Sequence, residues 1–181
     1  MAGNDKKQQT RSAWIEVLHK HRHDFKKPAN KQYWSPTLDT ASRDELTAIQ
    51  NEKLSIVTPF LYENSLFYRE RFDRLGLTPA DISAVEDLPK WPVIDKTEMM
   101  QDAVNKPPYG SYSTINDNDW HHRGWMLFSS SGSTGVPRVF RYTHLDREFW
   151  EWANARAMWS MDIRPGDVMF PMVGFGPHVW M

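Results

Sequence analysis

The ten residues at 129–138 constrain this chain more than any others: SSSGSTGVPR. Gly132 and Gly135 let successive backbone N–H groups turn inward, and a concave set of such donors holds an anion with several oxygens. Serine and threonine hydroxyls add side-chain donors, and Arg138 adds a fixed charge. Apolar residues 125–128 precede the run, and the alternating Val139-Phe140-Arg141-Tyr142 follows it. The loop therefore joins two expected strands, which a flexible Gly/Ser linker would not do. The expectation is a phosphate-binding loop made by Ser130, Ser131, Gly132, Ser133, Thr134, Gly135 and Arg138.

Downstream, Thr143 with Asp146 three residues on predicts a helix start, and the helical pattern runs to about Met161. Phe149, Trp152, Arg156 and Trp159 share one side of that helix and read as a core-facing stripe. Arg164-Pro165-Gly166-Asp167 is a turn, and apolar residues 168–172 read as a strand. Strand, helix and strand in this order predict a βαβ unit. The fold class expected is α/β: an N-terminal helical segment followed by the start of a mixed or parallel sheet.

Upstream, basic residues outnumber acidic ones across residues 1–31, and 1–32 reads as a solvated basic extension with a short amphipathic helix at 13–18. His19, His21 and His23 alternate, a spacing that scatters the rings on a helix rather than converging them on a metal. Ser42 and Glu45 make a capping box. Leu46, Ile49, Leu54, Val57 and Leu61 then recur at helical spacing, with a bend or break expected at Pro59. Residues 64–75 continue as a helix closed by Gly76. Thr78-Pro79-Ala80-Asp81 starts another short helix. Residues 88–93 should be extended by their prolines, and Asp95 caps a helix with Glu98 in its first turn. Residues 105–119 read as a loop, with His121 and His122 as polar loop residues before the strand.

The chain has 181 residues, 40% hydrophobic and 25% charged, and a net charge of −1. That gives enough length for one core and no basic field to attract nucleic acid. There is no cysteine, so disulfides and thiolate chemistry are excluded. No apolar run reaches the length of a membrane span and no signal-peptide core is visible, so a cytoplasmic location is expected.

The loop lacks the Lys of the NTPase phosphate loop, the dinucleotide fingerprint GxGxxG and the nucleophile elbow GxSxG. It resembles the signature [ST]SG[ST]TGxPK of the adenylate-forming enzymes, which include acyl-CoA ligases, luciferases and peptide-synthetase adenylation domains. Ser131, Gly132, Ser133, Thr134, Gly135 and Pro137 match, and Arg138 stands where most members have Lys. Tyr33-Trp34-Ser35-Pro36, residues 64–72 (NSLFYRERF) and residues 88–98 (LPKWPVIDKTE) are similar to the opening of the phenylacetate–CoA ligase branch. Residues 173–178 (VGFGPH) resemble a turn that helps wall the acyl pocket, which makes Phe175, Gly176 and His178 candidate substrate residues.

The resemblance implies acyl-adenylate formation from a carboxylic acid, possible aromatic acids included, and Mg2+-ATP, followed by transfer to a thiol, usually coenzyme A. Ser131, Ser133 and Thr134 would donate to the β- and γ-phosphates, and Arg138 would supply the cation. It divides the chain into residues 1–32 and a partial adenylate-forming domain at 33–181, which ends inside the pocket-wall motif. No catalytic residue is assigned, because the later motifs of such ligases are not found in the sequence. The expected partners are the small carboxylic acid, the remainder of the ligase or a complementary chain, and a second copy in a homodimer. Two other readings stand beside this one: an interaction or regulatory module derived from the ligase fold, and a hydrolase using Ser131 or Ser133 with a histidine.

Overall fold

The computed structural model describes residues 2–21, 32–130, 138–170 and 172. They divide into two units, Met1–Asp24 with Thr37–Ile115, and Phe25–Pro36 with Asn116–Met181. None of the described helices is long and apolar enough to cross a membrane.

In the first unit, α1 runs over Ala2–Lys20, well beyond the short helix expected at 13–18. One side of it lies on α3 (Arg43–Asn64), which follows the single turn α2 (Pro36–Asp39). Val17 is buried, and Trp14 stacks on Phe60 with ring centroids 6.2 Å apart. The charges that suggested solvation find partners across this seam. Lys6 meets Glu63 at 2.8 Å, and Glu52 accepts from Lys20 at 2.5 Å and bonds His21 Nε2 at 2.7 Å. Lys20, and then His21, hold the Glu52 carboxyl below its usual range.

The capping box expected at Ser42 and Glu45 is formed. Pro59 lies inside α3, yet the helix carries on to Asn64. Proline removes one N–H from the ladder, but both its neighbours are anchored. Thr58 Oγ1 donates to the carbonyls of Leu54 (2.7 Å) and Ile82 (2.9 Å), and Phe60 is buried. Ser65 then caps α4 (Leu66–Leu75), which ends where Gly76 adopts φ +66°, the left-handed conformation expected there. Phe72 and Ile82 are fully buried at the centre of this unit.

Thr78 begins only a single 3₁₀ turn, Pro79–Asp81. Residues 88–90, expected to be extended, are wound into a second one, Val85–Lys90. Asp87 is the cause. Its carboxylate accepts from the N–H groups of Ser83 and Ala84, both at 3.0 Å, and from Lys90 Nζ at 2.7 Å. Lys90, with those two N–H groups, brings the Asp87 carboxyl down from 3.8 to about 2. A carboxyl more acidic in the fold than in the unfolded chain supports the fold above pH 3.8. That support is lost as the pH falls through about 2. The amide NMR shifts of Ser83 and Ala84 should move together with a midpoint near pH 2, and a midpoint near 3.8 would refute this account. Asp95 caps α5 (Lys96–Asn105) through the Glu98 N–H at 2.8 Å, as the sequence predicts.

In the second unit, Asn116 caps α6 (Asp117–Arg123), so His121 and His122 are helical rather than in a loop. Then β1 (Gly124–Ser129) pairs antiparallel with β2 (Val139–Thr143), and α7 (His144–Ser160) follows behind the capping box of Thr143 and Asp146. Helices plus the start of a sheet give the α/β class expected.

The stripe Phe149, Trp152, Arg156 and Trp159 is partly buried along its length. Arg156 lies 4.9 Å over Trp152, and Arg164 lies 4.0 Å over Trp159. Trp150, outside that stripe, also packs on the sheet, against Phe128 and Tyr142. Residues 168–170 and 172 form no strand, and Phe170 and Met172 are 86% and 98% exposed. A strand exists only by pairing, and among the described residues β1 and β2 pair only with each other. Among the described residues the sheet is therefore antiparallel, and they include no parallel neighbour of the kind a βαβ unit requires.

Candidate functional site

The loop predicted to hold phosphate sits at the tip of the β1–β2 hairpin. The register runs from Ser129 opposite Val139 to Met126 opposite Tyr142, then slips between Gly124 and Met126. The extra residue in that slip is Trp125, a bulge that turns its ring toward Phe128 (5.9 Å) and Trp150 (6.2 Å). Period-2 alternation sets Phe128, Phe140 and Tyr142 on one face. Phe128 is 3% exposed, and its ring lies 5.3 Å from Tyr142 and 5.1 Å from Trp150. This aromatic layer joins the hairpin to α7. Burial, and then the charge of Asp146, pushes the Tyr142 phenol up.

The other face is tied by a cation. Arg141 donates to Asp117 Oδ1 at 2.5 Å and its guanidinium lies 5.8 Å over the Trp120 ring, so one group fastens β2 to α6 at two points. Arg147 of α7 lies 5.6 Å over Trp125. The strand alternation could have shown these aromatic positions, but the bulge could not be read, so Trp125 had no assigned face.

Of the predicted loop residues, Ser130 and Arg138 are described, and they close its mouth. The Ser130 N–H donates to the Arg138 carbonyl at 2.8 Å, and the Arg138 N–H donates to Ser130 Oγ at 2.9 Å. The Arg138 guanidinium lies 5.5 Å from the centre of the Phe140 ring, two residues along the same strand face. Ser131, Gly132, Ser133, Thr134 and Gly135 lie outside the described residues, as do Phe175, Gly176 and His178. A hairpin tip backed by a packed aromatic layer is a rigid mount for a loop whose composition suits an anion.

No family model matches the chain. It is 30% identical over 143 residues to the phenylacetate–coenzyme A ligase of Thermus thermophilus, a match over 79% of this chain and 30% of that protein. It is 32% identical over 139 residues to the phenylacetate–coenzyme A ligases of Aromatoleum evansii and Escherichia coli, covering 77% of this chain and 30% of each. Among solved structures it is similar to 2-hydroxyisobutyryl-CoA ligase in complex with 2-HIB-AMP and CoA in the thioesterification state. There the TM-score is 0.71 and the identity 29%, over 80% of this chain and 30% of the other. The same ligase in the postadenylation state gives 0.70 and 28%, over 80% and 29%. The chain is thus a relative of the adenylate-forming ligases. Within that class it is like the phenylacetate–CoA ligase branch, and it spans about 30% of the length of the curated relatives it matches.

Proposed function

We propose that this chain is the N-terminal portion of an ATP-dependent carboxylate–CoA ligase. In this reading residues 33–181 begin the adenylate-forming domain, residues 1–32 precede it, and the hairpin supplies the grip on the triphosphate. The observation that carries the reading is the run at 129–138, which matches the adenylate-forming signature and joins two strands mounted on α7. Mg2+-ATP, a small carboxylic acid and coenzyme A would be the substrates. The residues at 131–135 would bind the tail of ATP through N–H and hydroxyl donors, and Arg138 would neutralise its charge. The guanidinium is a wide fork where most such ligases carry a compact ammonium, so it suits two phosphate oxygens at once. The remainder of the ligase, as continuous chain or as a separate polypeptide, would complete the site.

Carboxylate-dependent ATP–pyrophosphate exchange tests this. Exchange is expected when the chain acts with the rest of a ligase. Its absence in every combination, with the fold intact, favours the interaction module. In the active assembly, replacing Ser133 and Thr134 together by Ala should weaken ATP binding by about 1–3 kcal/mol through lost charge-assisted hydrogen bonds. Unchanged ATP affinity in isothermal titration of the double variant would count against the loop assignment.

A further inference from the structure

The two hydrogen bonds at the base of the loop are not a normal strand rung. In an antiparallel hydrogen-bonded pair, each residue's N–H donates to the other's carbonyl. Ser130 and Arg138 follow that rule in one direction only, with Ser130 N–H to Arg138 carbonyl at 2.8 Å. In the return direction the Arg138 N–H reaches the Ser130 hydroxyl oxygen, at 2.9 Å, in place of the Ser130 carbonyl. The serine side chain has taken over the acceptor role of its own main chain, as serine and threonine do where a backbone leaves regular structure.

The geometry points to Ser130 as a positioning residue: its hydroxyl fixes where the chain leaves β1, rather than serving as one more phosphate ligand. The inference rests on the ligase reading for its purpose, and on the two bonds for its existence. The hydroxyl frees the Ser130 carbonyl from the ladder while keeping the ends of the loop together. It also fixes the Arg138 backbone, whose side chain lies along Phe140. With alanine at 130 no such acceptor remains. The Arg138 N–H must then either lose its bond or capture the Ser130 carbonyl, which would lengthen the hairpin by a full rung and move the point of departure. Threonine has the same oxygen on Cβ and can replace serine here, which a merely space-filling role would not require.

The experiment has two arms, each on wild type, Ser130→Ala and Ser130→Thr. The first measures hydrogen exchange at the Arg138 amide by NMR. In Ser130→Ala the exchange rate should change by about tenfold if the bond is lost, or the amide shift should move to a strand-like value if the carbonyl replaces it. Ser130→Thr should restore the wild-type signature. The second measures ATP and AMP affinity in the assembly that supports exchange. Ser130→Ala should weaken ATP about threefold to tenfold and leave AMP unchanged, with Ser130→Thr again restoring it. An Arg138 amide that does not respond to Ser130→Ala overturns the inference, as does an ATP loss with an undisturbed amide, which would make Ser130 a direct ligand. If wild type ignores ATP in every assembly, the phosphate-loop reading fails, while the amide arm still decides whether the clasp exists.

Discussion

Replacing Phe72 with alanine should lower the stability of the first unit by about 3–5 kcal/mol, the range for emptying an aromatic site in a packed core. Phe72 is fully buried. Its ring meets Tyr62 of α3 edge-on at 5.7 Å and Trp91 at 4.3 Å. The side chain therefore joins α4 to α3 and to the segment after the second 3₁₀ turn. The Leu77 N–H also donates to the Phe72 carbonyl at 3.0 Å, so the same residue closes the end of α4. Few other residues of the unit are as deeply buried, and the surroundings are helices and aromatic rings that cannot collapse easily into the space. Phe72→Leu keeps most of the volume and should lose less than half as much. Urea unfolding followed at Trp91 checks both, and a loss under about 1 kcal/mol for Phe72→Ala would show that the cavity is refilled.

The parts of this fold that were legible in the sequence are those decided within a few residues. Ser42 with Glu45, Asp95 with Glu98 and Thr143 with Asp146 each satisfy an orphan helix N–H locally, and Gly76 supplies a conformation that few other residues adopt. The two strands were legible for the same reason, because an apolar run before 129–138 and alternation after it need no distant partner, though the sequence did not say that the two pair with each other. What failed depended on contacts remote in the chain. The length of α1 was missed because it packs on α3, where Lys6 and Lys20, exposed as expected, reach Glu63 and Glu52 on that other helix. Trp150 was not picked out, since its partners Trp125, Phe128 and Tyr142 lie on strands remote from it in the chain. Residues 88–90 were read as extended from their proline, but a single carboxylate at Asp87 outweighed that preference. Residues 168–172 carry strand composition, yet composition supplies no pairing partner. For the candidate site, the motif named the loop between the strands, but not the Ser130 hydroxyl as the acceptor for Arg138.

Arg71 gives the second large effect, and it too was invisible as anything but a helix charge in FYRERF. Its side chain is almost wholly buried and lines up three acceptors: Glu98 of α5, the Pro92 carbonyl at 2.7 Å and the Val93 carbonyl at 3.1 Å. Those two carbonyls belong to residues in neither strand nor helix, both exposed and Val93 90% so; water can reach them, and what the segment lacks is an anchor. Arg71 supplies it and so pins residues 92–98 against α4. Glu98 is 39% exposed, so water screens its share of the ion pair. Removing the arginine should therefore cost about 2–4 kcal/mol, below the full penalty for breaking an enclosed pair. The two contributions can be separated. Glu98→Gln keeps the carbonyl bonds and should cost about 1 kcal/mol or less, falling with added salt. Arg71→Met keeps the volume but gives up both carbonyl bonds, and should cost nearly as much as Arg71→Ala whatever the salt. Arg71→Lys should fall between, because one ammonium cannot serve a carboxylate and two carbonyls with the reach of a planar fork. If urea midpoints place Glu98→Gln level with Arg71→Met, the ion pair rather than the carbonyl clamp holds this segment.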